Sequence, residues 1–94
     1  MVQLRIEHSV PDYDAWKQAF DADPAGRERS GVRRYRILRA TGEPNYVIIE
    51  LEFDTSAEAE ALLASMRAVW GQVQGTLISG PAARIADVVE TVAF

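Results

Sequence analysis

The chain has no cysteine, one histidine and one lysine among its 94 residues. Each shortage closes off a class of chemistry. Without cysteine there is no disulfide, no thiolate nucleophile and no thiolate-held metal. A lone imidazole, that of His8, rules out a site built on several histidines. Long apolar runs are lacking too. A bilayer-spanning helix needs about 20 of them in a row, so no membrane partner is expected. The opening MVQLRIEHSV scatters Arg5, Glu7 and His8 among its apolar residues, which does not fit a signal peptide. The cytoplasm is the expected location.

What is present is ordinary in bulk: 48% hydrophobic residues, 26% charged ones and a net charge of −4. A chain of this size holds one core, so residues 1–94 are expected to form a single domain. It buries only about two-thirds of its unfolded surface, which makes pairing with a second chain advantageous. The acidic balance disfavours non-specific nucleic-acid binding. The cations are nine arginines and Lys17, and arginine suits pairing with carboxylates across buried or interfacial surfaces.

Periodicity then sets the elements. VQLRIEH alternates, with Val2, Leu4, Ile6 and His8 on one face and Gln3, Arg5 and Glu7 on the other, as in a half-buried strand. PDYDAWKQAFDAD changes period: Tyr13, Trp16 and Phe20 fall on one helical face, with Asp12 placed to cap. Asp23 and Pro24 mark a break, with a second short helix expected up to Gly31. VRRYRILR and YVIIELEF read as two strands around the turn ATGEPN. DTSAEAEALLASMRAVW is a helix with a Thr55/Glu58 capping box and an apolar stripe of Leu62, Leu63, Met66, Val69 and Trp70. After an irregular passage marked by Gly71, Gly75, Gly80 and Pro81, ARIADVVETVAF closes as a strand with an apolar tail.

Strand, helix, strand, strand, helix, strand predicts the α+β, ferredoxin-like βαββαβ fold, a four-stranded antiparallel sheet with both helices on one face. Pairing Ala40 with Tyr46 sets Arg36 opposite Glu50 and Arg34 opposite Glu52, with Ile37 on Ile49 and Tyr35 on Leu51. A slip by one residue would oppose arginines to aliphatic residues, so charge and apolar pattern select the first register together. The helix face then carries Leu4, Ile6, His8, Tyr35, Ile37, Val47, Ile49, Leu51 and Phe53. Arg5, Glu7, Arg34, Arg36, Glu50, Glu52 and Arg84 share the other face with Leu38, Tyr46 and Ile48. That second face suits either solvent or a protein interface, where Arg and Tyr are enriched.

The stretches HSVPDYDAWKQAFD, GVRRYRIL, PNYVIIELEFDT and GPAARI, spread over nearly the whole chain, resemble the small proteins of the dimeric α+β barrel superfamily, which includes the antibiotic-biosynthesis monooxygenase-like domains. The resemblance lies in fold signatures rather than catalytic motifs. It implies a homodimer packed sheet to sheet through the face of Arg34, Arg36, Glu50 and Glu52, with Thr91–Phe94 reaching onto the partner. It also implies a cleft between sheet and helices for flat apolar ligands such as polycyclic polyketides, haem or small lactones.

On the helix side Trp16, Phe20, Tyr35, Phe53, Met66 and Trp70 form either a plain core or the lining of such a cleft for a small apolar or aromatic ligand. Two tryptophans are much bulk for so short a chain, and Trp is rarely fully buried. His8 is the polar candidate: a core or capping histidine bonded to backbone near Ser9, or a general base held neutral by burial. Tyr35 is a phenol on the same face and a candidate oxyanion donor. Asp87 is a third polar group there, and nothing in the sequence brings the three together. There is no GxSxG, P-loop or HExxH, and GQVQGTLISG follows a helix, so it is no dinucleotide fingerprint. RRYRILR has plausible carboxylate partners, so no nucleic acid is expected. No metal or organic cofactor is expected either. The leading expectation is a cofactor-free monooxygenase or cyclase acting on an aromatic substrate. The alternatives are a non-catalytic dimeric binding module and, third, haem binding through His8, for which a strand-end histidine is a poor match.

Overall fold

The computed structural model describes residues 1–22, 26–73 and 78–94. Within them run β1 (Val2–Ser9), α1 (Tyr13–Asp21), β2 (Arg34–Ala40), β3 (Glu43–Phe53), α2 (Ser56–Val73) and β4 (Ser79–Asp87). The strands lie in the order β2-β3-β1-β4, and every neighbouring pair is antiparallel. This is the ferredoxin-like fold expected from the element order. The chain measures 35 × 31 × 20 Å, and the shortest dimension suits one sheet and one layer of helices.

Local chemistry accounts for the elements. In β1, Val2, Leu4, Ile6 and His8 are buried while Arg5 and Ser9 are exposed, the alternation of a strand with one packed face. Asp12 caps α1, its carboxylate accepting from the Asp14 backbone N–H at 3.0 Å. At α2 the capping box closes both ways. The Glu58 N–H donates to Thr55 Oγ1 at 3.3 Å, and the Thr55 N–H donates to Glu58 Oε1 at 3.2 Å.

The β2–β3 register sets Arg34 on Glu52, Tyr35 on Leu51, Arg36 on Glu50 and Ile37 on Ile49, as charge and apolar pattern require. The end of the hairpin differs. Ala40 pairs with Glu43, not Tyr46, across an irregularity after Arg39. The turn narrows to Thr41-Gly42, where Gly42 takes φ +82°, and strand β3 absorbs Glu43, Pro44 and Asn45. Pro44 is tolerated there because its missing N–H falls in the irregular end of the ladder.

Two further boundaries move. Gly71 continues α2 and Gly80-Pro81 fall inside β4, so neither belongs to an irregular passage, and Gly75 lies outside the described residues. The expected start of a short helix at Asp23-Pro24 lies outside the described residues. From Arg27 to Gly31 the chain makes hydrogen-bonded turns, with the Ser30 N–H donating to the Gly26 carbonyl at 2.9 Å.

One sheet face holds the core. Leu4, Ile6, Val47, Ile49, Leu51 and Phe53 are fully buried beneath Ala59, Leu62, Leu63 and Trp70 of α2 and Trp16 and Phe20 of α1. Each such aliphatic or aromatic side chain contributes about 1.5–3 kcal/mol on leaving water. The other face is ionic. Arg34 pairs with Glu52, and Glu50, only 9% exposed, is held between Arg36 and Arg5, the latter at 3.0 Å. Tyr46 donates its O–H to Glu7 at 3.2 Å on the same side. Residues after β4 bend over this face. They leave a groove of about 420 Å³ lined by Gln3, Arg34, Glu50, Glu52, Val88 and Thr91.

Candidate functional site

His8 lies near the end of β1 and is 1% exposed. Its Cα partner on β3 is Val47, whereas on the β4 side the ladder shifts register between Glu7 and Ser9. Between Glu7 and Ser9 β1 advances two residues while β4 runs three, from Ala82 to Ser79, so the only histidine stands opposite a bulge in β4. Its ring meets Trp16 edge-on, centroids 5.7 Å apart. The Nδ1 atom is 3.4 Å from the Ser9 carbonyl oxygen, a long contact. A carbonyl can only accept, so in this contact Nδ1 carries the proton and Nε2 holds the lone pair. Burial pushes the pKa of His8 below its ordinary value, and the Ser9 contact offsets that only in part. Burial thus favours the neutral ring.

From His8 a row of rings runs along α1. Trp16 meets Phe20 at 5.1 Å, and Phe20 meets Tyr35 of β2 edge-on at 5.4 Å. Tyr13 joins at the His8 end, 5.8 Å from Trp16. The row is α1's attachment to the sheet. Where α2 lies close to β1, β3 and β4, α1 stands further off and reaches down through its bulky side chains. Two guanidiniums rest on the row. Arg27 lies 3.8 Å from the Phe20 ring centre and 5.1 Å from that of Tyr35, and Arg39 lies 3.9 Å from that of Tyr13.

The candidates read from sequence fall into two groups. His8, Trp16, Phe20 and Tyr35 share the α1 row. Phe53 pairs with Val2, six residues along β3 from the partner of His8, which is about 20 Å. Met66 and Trp70 belong to α2, Trp70 buried and Met66 half-buried against the core. Tyr35 is on the helix face as expected, but 42% exposed. It sits on edge strand β2, beyond the cover of the helices.

Nor do His8 and Tyr35 meet. Their β3 partners, Val47 and Leu51, are four residues apart, and the two strands flank β3. Their Cα atoms are therefore about 16 Å apart, with Trp16 and Phe20 between. Asp87 shares the helix face but pairs with Val2, again at the far end from His8. Sequence reasoning passed over Arg39, although it alternates in step with Tyr35 and Ile37. Among the described residues no three His, Asp or Glu side chains gather as a metal-holding group.

No family model matches the chain, and no curated protein matches it. Solved structures do. A mutant form of SnoaB, a cofactor-independent oxygenase from Streptomyces nogalater, is 16% identical with a TM-score of 0.76, over 97% of this chain and 95% of that one. A proposed antibiotic biosynthesis monooxygenase from Deinococcus radiodurans is 12% identical with a TM-score of 0.77, over 100% and 98% of the two chains. A dimeric ferredoxin-like protein from an uncultured marine organism is 17% identical with a TM-score of 0.65, over 97% of each. At such identities the likeness is one of fold.

Proposed function

We propose that this chain is a small-molecule enzyme that deprotonates a planar aromatic substrate between α1 and the sheet, with no organic cofactor. The observation that carries the reading is His8: buried, its neutral form favoured, set opposite a bulge in β4 and walled by Trp16. A base needs its lone pair free at working pH, and desolvation supplies that here. Nε2 takes the proton of an acidic phenol or carbon, leaving an electron-rich anion against the rings. That anion then reacts with oxygen or cyclises. Where oxygen takes part, an activated CH₂ becomes C=O, one oxygen atom staying on carbon and the other leaving as water with both hydrogens. Likeness of fold to SnoaB, a cofactor-independent oxygenase, supports this chemistry without fixing the substrate. Tyr35, two rings away from His8, serves the distal end of a long substrate rather than the reacting atom.

The working unit in this reading is a homodimer. The ion-paired face of Arg34, Arg36, Glu50 and Glu52 supports it, since charges already paired within one sheet cost less to cover than unpaired ones. The dimeric fold relatives support it too, as does Phe94, fully exposed in the single chain. Light scattering at micromolar concentration should give twice the chain mass; a monomer contradicts the assembly.

A second reading is a non-catalytic accessory or binding module of the same fold, in which Trp16 and Phe20, nearly fully buried, act as core. One experiment separates the two. Planar bi- and tricyclic phenols are incubated with the protein while substrate and dissolved oxygen are followed. The enzyme reading expects consumption that drops at least about 100-fold in His8→Gln with binding kept. Binding without consumption selects the module.

A further inference from the structure

Strand β2 uses its arginines in two ways. Arg34 and Arg36, on the ionic face, each hold a carboxylate. Arg39 faces the helices instead and holds none among the described residues. Its Nε donates to the Pro44 carbonyl at 2.9 Å, and its plane covers Tyr13. That leaves its two terminal NH₂ groups available, fixed in place by the stack and by the backbone contact. Register puts the cation beside the proposed base. Arg39 and His8 are both partners of Val47, so they stand in one cross-strand row on the same face, their Cα atoms about 10 Å apart. Tyr13 and Trp16 bridge the interval above the sheet.

We propose that Arg39 anchors an ionised acid group of the substrate, so that the site selects planar aromatic anions over neutral rings of the same shape. The inference rests on the reading of the α1 row as a ligand site and adds to it the ligand's charge. A guanidinium with two free NH₂ groups matches a carboxylate in a bidentate way. Its position directs that carboxylate outward to the β2 edge while the ring lies toward Trp16 and His8.

The test compares 2-naphthoate with its methyl ester, which has the same ring and no charge, at low ionic strength where screening is weak. Calorimetry gives the affinity, and the ring protons of His8 report occupancy of the row. Wild-type protein should bind the acid about tenfold more tightly than the ester. Arg39→Gln should lose that preference with ester affinity unchanged, and Arg39→Lys, which keeps charge but not the planar fork, should retain part of it. Equal binding of acid and ester by the wild type, with His8 responding to both, overturns the anchor and leaves the ligand site standing. A preference that survives in Arg39→Gln overturns it likewise. If neither compound moves the His8 signals, the ligand site fails and the anchor with it.

Discussion

The two halves of the helix layer hold the same sheet by different means. Helix α2 lies close to β1, β3 and β4 through Ala59, Leu62 and Leu63, small and aliphatic groups that interlock at short range. Helix α1 stands away and reaches the core with Trp16 and Phe20, rings that also contact one another, His8 and Tyr35. An aliphatic layer is close-packed on every side. The row of rings packs instead by tilted and edge-on contacts. The contrast separates a fixed half, α2, from a half whose rings pack against His8 of β1, the one titratable group buried on the helix side among the described residues.

Substitutions can break that contrast. The largest effect is expected in the aliphatic half, where Leu62→Ala should cost about 2–5 kcal/mol in denaturant unfolding. The pKa of His8 should stay depressed in whatever fraction remains folded. In the aromatic half, Phe20→Leu should cost about 1–1.5 kcal/mol, since its neighbours include exposed Tyr35. Equal losses at the two sites would erase the distinction.

Acid should sharpen it further. The folded pKa of His8 lies below its unfolded value of about 6.5. Between those two values the unfolded chain binds more protons than the folded one, so stability rises with pH through that window. It is fully present above about 6.5 and falls as pH drops toward the folded pKa. Chemical denaturation at pH 7.5 and pH 5 should show the loss in wild type and a smaller one in His8→Gln. Glu52, whose pKa the hydrogen bond from Arg34 lowers, stays ionised at both of those pH values and does not mimic the effect. The smallest change is expected at the α2 cap. Thr55→Ala should cost about 1 kcal/mol and leave His8 untouched, because the capping box is remote from the ring row.

Much of this arrangement is legible in the sequence. Alternation in β1 and the Arg34–Glu52 and Arg36–Glu50 pairs determine which residues face the helices, since a one-residue slip would bury charge. Thr55 and Glu58 mark the start of α2 by a purely local rule. The bulge opposite His8 is different. It arises where β1 meets β4, a strand from the far end of the chain, and no local pattern encodes it. Tyr35 shows a related gap: its parity places it on the helix face, but its exposure depends on β2 being the edge strand. Arg39 is legible by parity alone, yet a guanidinium in an apolar slot reads as a strand end until its stack on Tyr13 is seen.

The most direct test of the account is a titration of the ring protons of His8, unambiguous because the chain has no other histidine. It is run with and without a planar bicyclic phenol. A buried base predicts a pKa below about 6.5 that moves when the phenol binds. An ordinary pKa, unmoved by the ligand, would contradict the account, because His8 would then be neither desolvated nor part of a working site.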